Sequence, residues 1–94
     1  MPRLRYSVES REDLKRILHY IAQDKPIAAR EWVAKIREKC RLLAKHPNLG
    51  DLRSELGDTI RSSYVGNYVI FFRQNETFVD ILRVFRGDRD TQSL

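Results

Sequence analysis

A chain of 94 residues with 41% apolar and 33% charged content makes one small domain, residues 1–94, with a core of its own, and excludes a disordered or membrane-embedded class. Its apolar runs are a handful of residues, far short of the roughly 20 that span a bilayer, and Met1-Pro-Arg-Leu-Arg-Tyr6 has charge but no apolar signal core. The net charge of +5 is unevenly placed: residues 1–47 hold twelve Lys/Arg against six Asp/Glu, and residues 48–94 hold six against seven. A basic half of this kind attracts an acidic protein segment or nucleic acid, or is simply a solvated face. One cysteine excludes an internal disulfide and fits a reducing cytoplasm, the expected location.

From Arg3 to Val8, Leu4, Tyr6 and Val8 alternate with polar residues, which predicts a short half-buried strand. Ser7 is placed to cap a first helix, and Glu9, Glu12 and Asp13 suit its first turns, where the helix dipole favours negative charge. Leu14, Ile17, Leu18 and Ile21 then recur at helical spacing, ending near Asp24 because Pro26 disfavours a helical Lys25.

Pro26 opens a second helix with the stripe Ala29, Trp32 or Val33, Ile36, Cys40 and Leu43, closed by His46-Pro47. The connection is short, so the helices form an antiparallel hairpin. Lys35, Arg37, Lys39, Arg41 and Lys45 crowd its outer face with like charges four residues apart, each pair costing a few tenths of a kcal/mol. A face that tolerates this repulsion suits an acidic partner.

Residues 46–58 read as a connecting loop with turn signals, pinned by Leu49, Leu52 and Leu56. Strands at about 59–65, 67–73 and 78–86 follow, joined by turns at Gly66-Asn67 and Gln74-Asn75-Glu76. The order β-α-α-β-β-β gives an α+β fold, a helical hairpin packed on one face of a mostly antiparallel sheet. In the middle strand Tyr68, Ile70 and Phe72 face one way, and Val69 and Phe71 the other. In the last, strict alternation groups Val79, Ile81, Arg83 and Phe85 against Phe78, Asp80, Leu82, Val84 and Arg86. Two helices cover one face, so Val69 and Phe71 are covered either by the 46–58 loop and the tail or by a partner.

Chemistry-bearing clusters are sparse. One Cys on an apolar stripe and two separated His provide neither a metal site nor a nucleophile with its base, and no phosphate-binding glycine loop follows a strand. Arg61, Arg73, Arg83, Arg86 and Arg89, with Tyr64 and Tyr68 nearby, could stabilise a phosphorane in metal-free RNA cleavage, or could pair with Asp80, Asp88 and Asp90. Catalytic residues, metal and cofactor are accordingly all assigned as none.

Asp13-Leu14…Ile17…Tyr20-Ile21-Ala22, His46-Pro47-Asn48-Leu49-Gly50, Glu55-Leu56-Gly57 and Ile60-Arg61-Ser62 form an ordered set along the chain. Val65-Gly66-Asn67-Tyr68 through Arg73, and Ile81 through Asp90, complete it. In this set the sequence resembles the ParE-type toxins of the RelE/ParE superfamily, the toxic half of type II toxin–antitoxin pairs. The resemblance implies the same β-α-α-β-β-β fold and a cognate ParD-like antitoxin, which binds operator DNA, so that the toxin meets DNA only indirectly. It also implies DNA gyrase as target, inhibited by binding rather than by catalysis. The alternatives are a ribosome-dependent mRNA endonuclease of the RelE branch and a non-toxic binding module acting only in operon autoregulation. No Tyr or His follows Tyr68, which favours the ParE branch. The antitoxin-binding candidates are Trp32, Lys35, Lys39, Arg41, Val69 and Phe71, and the target-contact candidates are Arg61, Arg83, Arg86 and Arg89. No membrane partner is expected.

Overall fold

The computed structural model describes residues 3–87. Strand β1 (Arg3–Tyr6) leads into helices α1 (Val8–Ala22) and α2 (Pro26–Lys45). A 3-10 turn at Pro47–Leu49 precedes strands β2 (Asp51–Leu52), β3 (Ile60–Val65), β4 (Tyr68–Gln74) and β5 (Phe78–Arg86). The five strands form one sheet in the order β1-β5-β4-β3-β2. All neighbours are antiparallel except β1, which lies parallel to β5 with Leu4 beside Val79 and Tyr6 beside Ile81. The α+β class and the helical hairpin match the sequence-based expectation.

Local chemistry sets the boundaries. The Ser7 side chain accepts the Ser10 backbone N–H at 3.0 Å and donates to the Leu82 carbonyl at 2.8 Å, capping α1 and tying it to β5. Capping at Ser7 ends β1 at Tyr6, so Val8 is an exposed first-turn helical residue rather than a half-buried strand residue. Pro26 occupies the first position of α2, where its missing N–H breaks no helical bond.

The core lies between the hairpin and one sheet face. Leu14, Ile36, Cys40 and Leu43 from the helices meet Ile70, Phe72, Val79, Ile81 and Val84, with Ile17 and Tyr68 packed at the margin. Strict alternation along β5 does not survive: Phe71 pairs with Arg83 but Phe72 with Ile81, so Leu82 is an extra residue. This bulge turns Val84 to the helices with Ile81 and puts Arg83 and Phe85 on the side of Phe71 and Val69.

The 46–58 segment contributes a strand of its own, β2, which edges β3. Leu49 and Leu52 do not pin it, since both are largely exposed. Backbone pairing holds it instead, helped by the Arg53 N–H donating to the Ile60 carbonyl and by Gly50, where a Cβ would collide with the Phe72 ring.

Candidate functional site

Helix α2 turns its buried stripe to the sheet, which leaves the flank Lys35-Lys39-Leu42, spaced i, i+4, i+7, facing outward. Across from it stand Tyr64 and Val65 at the end of β3, and Leu4 of β1 closes the far end. Together they bound a groove of about 710 Å³. Leu42 and Val65 line it with apolar surface, Arg41 and Lys45 extend its basic rim, and Glu38 is the one carboxylate among its described lining residues. Among the described residues no carboxylate lies within ion-pair distance of Lys35, Lys39, Arg41 or Lys45.

Trp32 anchors the hairpin side of this region. Its ring meets Tyr68 edge-on at 5.7 Å, and Lys35 Nζ lies 5.0 Å from its centroid. Gly66, in the β3–β4 turn with φ +56°, sits flat against the same ring, where a Cβ would lie 2.5 Å from Cη2. Four of the sequence-based antitoxin candidates, Trp32, Lys35, Lys39 and Arg41, therefore stand along one side of the molecule.

Val69 and Phe71 do not join them. Both face away from the helices as expected, yet each is 0% exposed. The Arg53 guanidinium lies 5.5 Å from the Phe71 ring centroid, and Phe85 packs edge-on against that ring at 6.1 Å. The expectation of an open patch here is corrected: the second face is closed where these two residues lie, partly by the same loop that forms β2.

The strand arginines are held by the fold. Arg83 donates from Nε and Nη2 to the two carboxylate oxygens of Asp13 at 2.8 and 3.0 Å, and its guanidinium lies 4.3 Å from the Phe85 centroid. Asp13 is 2% exposed and also accepts the Val84 N–H at 2.9 Å and Arg16 Nη1 at 3.2 Å. Its carboxylate thus takes the place a neighbouring strand would fill where β1 ends and β5 continues. Arg61 donates to the Gly50 carbonyl at 2.9 Å. Arg86 lies half-buried beside Tyr68 in the sheet, and Arg89 lies outside the described residues.

The sequence pattern places Asp13 in the first turns of α1 and in the family-like set, but gives it no partner in the sheet. The signal to the contrary is its register, four residues before Ile17 and adjacent to Leu14, which places a carboxylate on the buried stripe of α1. Beneath α2, burial pushes the Cys40 thiol up to about 11, and burial likewise raises Tyr6, whose hydroxyl faces that thiol and meets no nitrogen or oxygen partner among the described residues. A neutral buried thiol is inert packing rather than a nucleophile. Among the described residues no group of three or more His, Cys, Asp and Glu could hold a metal, and no helix is long and apolar enough to cross a membrane.

The family model described as the ParE toxin of type II toxin–antitoxin system, parDE, matches residues 4–91. Among solved structures, the chain is similar to one from the chromosomal ParDE TA system from P. aeruginosa. The two are 26% identical over 92% of this chain and 96% of that one, with a TM-score of 0.77. It is also similar to a chain of the toxin–antitoxin complex RelBE2 from Mycobacterium tuberculosis, at 27% identity over 92% and 99%, with a TM-score of 0.68. No curated protein matches. With nearly its whole length matched and its fold shared with toxin–antitoxin proteins, the chain belongs to the ParE toxin family of type II toxin–antitoxin systems.

Proposed function

We propose that this ParE-type toxin acts by binding and inhibiting DNA gyrase, and that the groove beside α2 receives an acidic amphipathic segment of a cognate ParD-like antitoxin. The observation that carries the antitoxin half is the groove itself, a partly apolar trough where four cations, Lys35, Lys39, Arg41 and Lys45, outnumber the single carboxylate Glu38 and none is ion-paired among the described residues. Apolar residues of the antitoxin would cover Leu42 and Val65 while its carboxylates meet the rim. Trp32 borders the same side and would report docking by fluorescence.

Binding rather than catalysis is supported by how the sheet uses its arginines. Arg53, Arg61 and Arg83 are engaged by Glu55, Gly50 and Asp13 instead of converging beside a general acid or base. The target contact is assigned to the end of β5 and beyond, with Arg83, Arg86 and Arg89 as contributors and Arg61 at the other margin of the sheet. The cytoplasm, where gyrase works, is the corresponding location, and operator DNA is met through the antitoxin.

Likeness to a RelBE2 chain supports one second reading, a ribosome-dependent mRNA endonuclease. A supercoiling assay with purified chain separates the two. Inhibition with accumulation of cleaved DNA is expected for the first. Unimpaired supercoiling at high toxin excess, with transcripts cut in cells, selects the second.

A further inference from the structure

The α1–α2 hairpin carries a second furrow along its outer side. Val8, Arg11, Lys15 and Leu18 recur along α1 at i, i+3, i+7 and i+10, the spacing of a helix–helix seam, and Val33 and Arg37 stand one turn apart on α2. Where the two helices face each other, buried Leu14, half-buried Val33 and 37% exposed Leu18 floor a cavity of about 180 Å³. Exposed Arg11, Lys15 and Arg37 form its rim. Every residue of both helices lies within the described range.

No carboxylate lines this cavity, and none lies within ion-pair distance of Arg11, Lys15 or Arg37 among the described residues. The Arg37 guanidinium lies 5.5 Å from the Tyr6 ring centroid, a contact that positions it without compensating its charge. The rim therefore calls for carboxylates. The floor calls for apolar groups: Leu18 is left partly in water, and Val8, 71% exposed at the head of the same seam, more so. A phosphate backbone would cover neither. The cavity falls below the roughly 300–1,000 Å³ of small-molecule sites, so it takes a side chain rather than a cofactor. A furrow between two antiparallel helices receives the side-chain ridge of a third. A second copy of this chain, with net charge +5, would bring like charge to it.

Val33 and Arg37 lie on the opposite flank of α2 from Lys35, Lys39 and Leu42, and the two grooves share no lining residue. A helix is about 10–12 Å across, so a segment seated on one flank leaves the other open. We propose that the hairpin furrow docks an acidic amphipathic helix of a protein other than the antitoxin, its apolar side chains covering Leu18 and Val33 and its carboxylates meeting Arg11, Lys15 and Arg37. The chemistry of the occupant stands on the furrow alone. Only its being distinct from the antitoxin rests on the toxin reading, and the two are tested apart.

NMR titration of the isotopically labelled full chain with an Ala-based capped peptide of about 18 residues, long enough to be helical alone, tests the chemistry. The peptide carries leucines at i and i+4 flanked by glutamates, and two controls replace Glu by Gln or Leu by Ala. Saturable shifts at the Leu14, Lys15, Leu18, Val33 and Arg37 amides are expected for the first peptide at millimolar concentration, with binding about tenfold weaker for each control. Lys15→Glu with Arg37→Glu at unchanged Tm should abolish binding of the Glu peptide and confer binding of its Lys counterpart. Arg11→Gln, a milder change, should weaken the Glu peptide about threefold. Equal response to all three peptides, shifts centred on Leu42 and Val65, no saturation, or indifference to these substitutions overturns the furrow as an acidic-helix site. So does a random DNA duplex that binds there more tightly than the Glu peptide.

Repeating the titration on the preformed complex with the cognate antitoxin tests the partner. The Glu peptide should bind with unchanged affinity. Its exclusion by the antitoxin overturns the assignment to another protein. An antitoxin that does not bind the chain overturns the toxin reading instead, and the first titration still decides the furrow.

Discussion

Along α2, Lys35, Lys39, Arg41 and Lys45 have no carboxylate within ion-pair reach among the described residues, whereas on and beside the sheet Arg5, Arg53 and Arg83 hold Asp80, Glu55 and Asp13. Both regions are basic, and a count of charges does not separate them. What separates them is the backbone. A strand edge or bulge brings acids from distant sequence to an arginine, as Asp13 is brought to Arg83 across 70 residues, while a helix flank presents side chains to solvent. Charge with a built-in partner contributes to the fold whatever else it meets, and charge without one is held in place by nothing but its own helix.

The partnered region should break first and hardest. Asp13→Ala removes the carboxylate shared by Arg83 and Arg16 and leaves the Val84 N–H without its acceptor, and is expected to remove about 3 kcal/mol of stability in urea denaturation. Asp13→Asn keeps one acceptor and should lose less. A loss within about 0.5 kcal/mol, the range of ordinary surface substitutions, would put Asp13 with the exposed charges.

A smaller effect tests the neutral groups under α2. The Cys40 thiol ionises near 9 when unfolded and near 11 when buried, so above pH 9 the unfolded chain gives up a proton that the folded chain keeps. Stability is therefore whole below pH 9 and falls as pH rises to 11, by on the order of 2 kcal/mol from this group. Tyr6 adds to the fall in the same direction. Cys40→Ala should show a shallower decline when melts are compared across that window.

Gly66→Ala puts a methyl against Trp32 at a left-handed backbone position, which is expected to cost roughly 1–2 kcal/mol from backbone conformation alone. Altered tryptophan emission should accompany it. The unpartnered region should respond least: Lys39→Glu with Lys45→Glu should leave stability within about 0.5 kcal/mol of wild type by thermal melting.

The element order and the core stripe of α2 were legible because apolar periodicity and capping are local. Pro26 at the head of a helix and Gly66 in a turn carry their meaning wherever they occur. The parallel pairing of β1 with β5 was not legible, since it joins residues more than 70 apart and no local signal encodes it. The Leu82 bulge escaped for a related reason: alternation predicts facing only while the ladder is regular, and one extra residue reverses everything beyond it. At the site, the cationic rim of α2 was readable from like charges at helical spacing. The groove's other wall, Tyr64, Val65 and Leu4, needed the fold to bring two strands and a helix together. Val69 and Phe71 show the converse, being placed on the correct face while their cover came from a loop that sequence left shapeless.

The central claim is that the α2 groove, not the arginines of the sheet, holds the antitoxin. Equilibrium binding of the cognate antitoxin to wild type, to the Lys39→Glu/Lys45→Glu variant and to Arg61→Ala tests it most directly. The predicted result is at least about a tenfold loss, or 1.4 kcal/mol, for the groove variant at unchanged Tm, with Arg61→Ala binding as wild type. Wild-type affinity in the groove variant, or loss confined to Arg61→Ala, would contradict it.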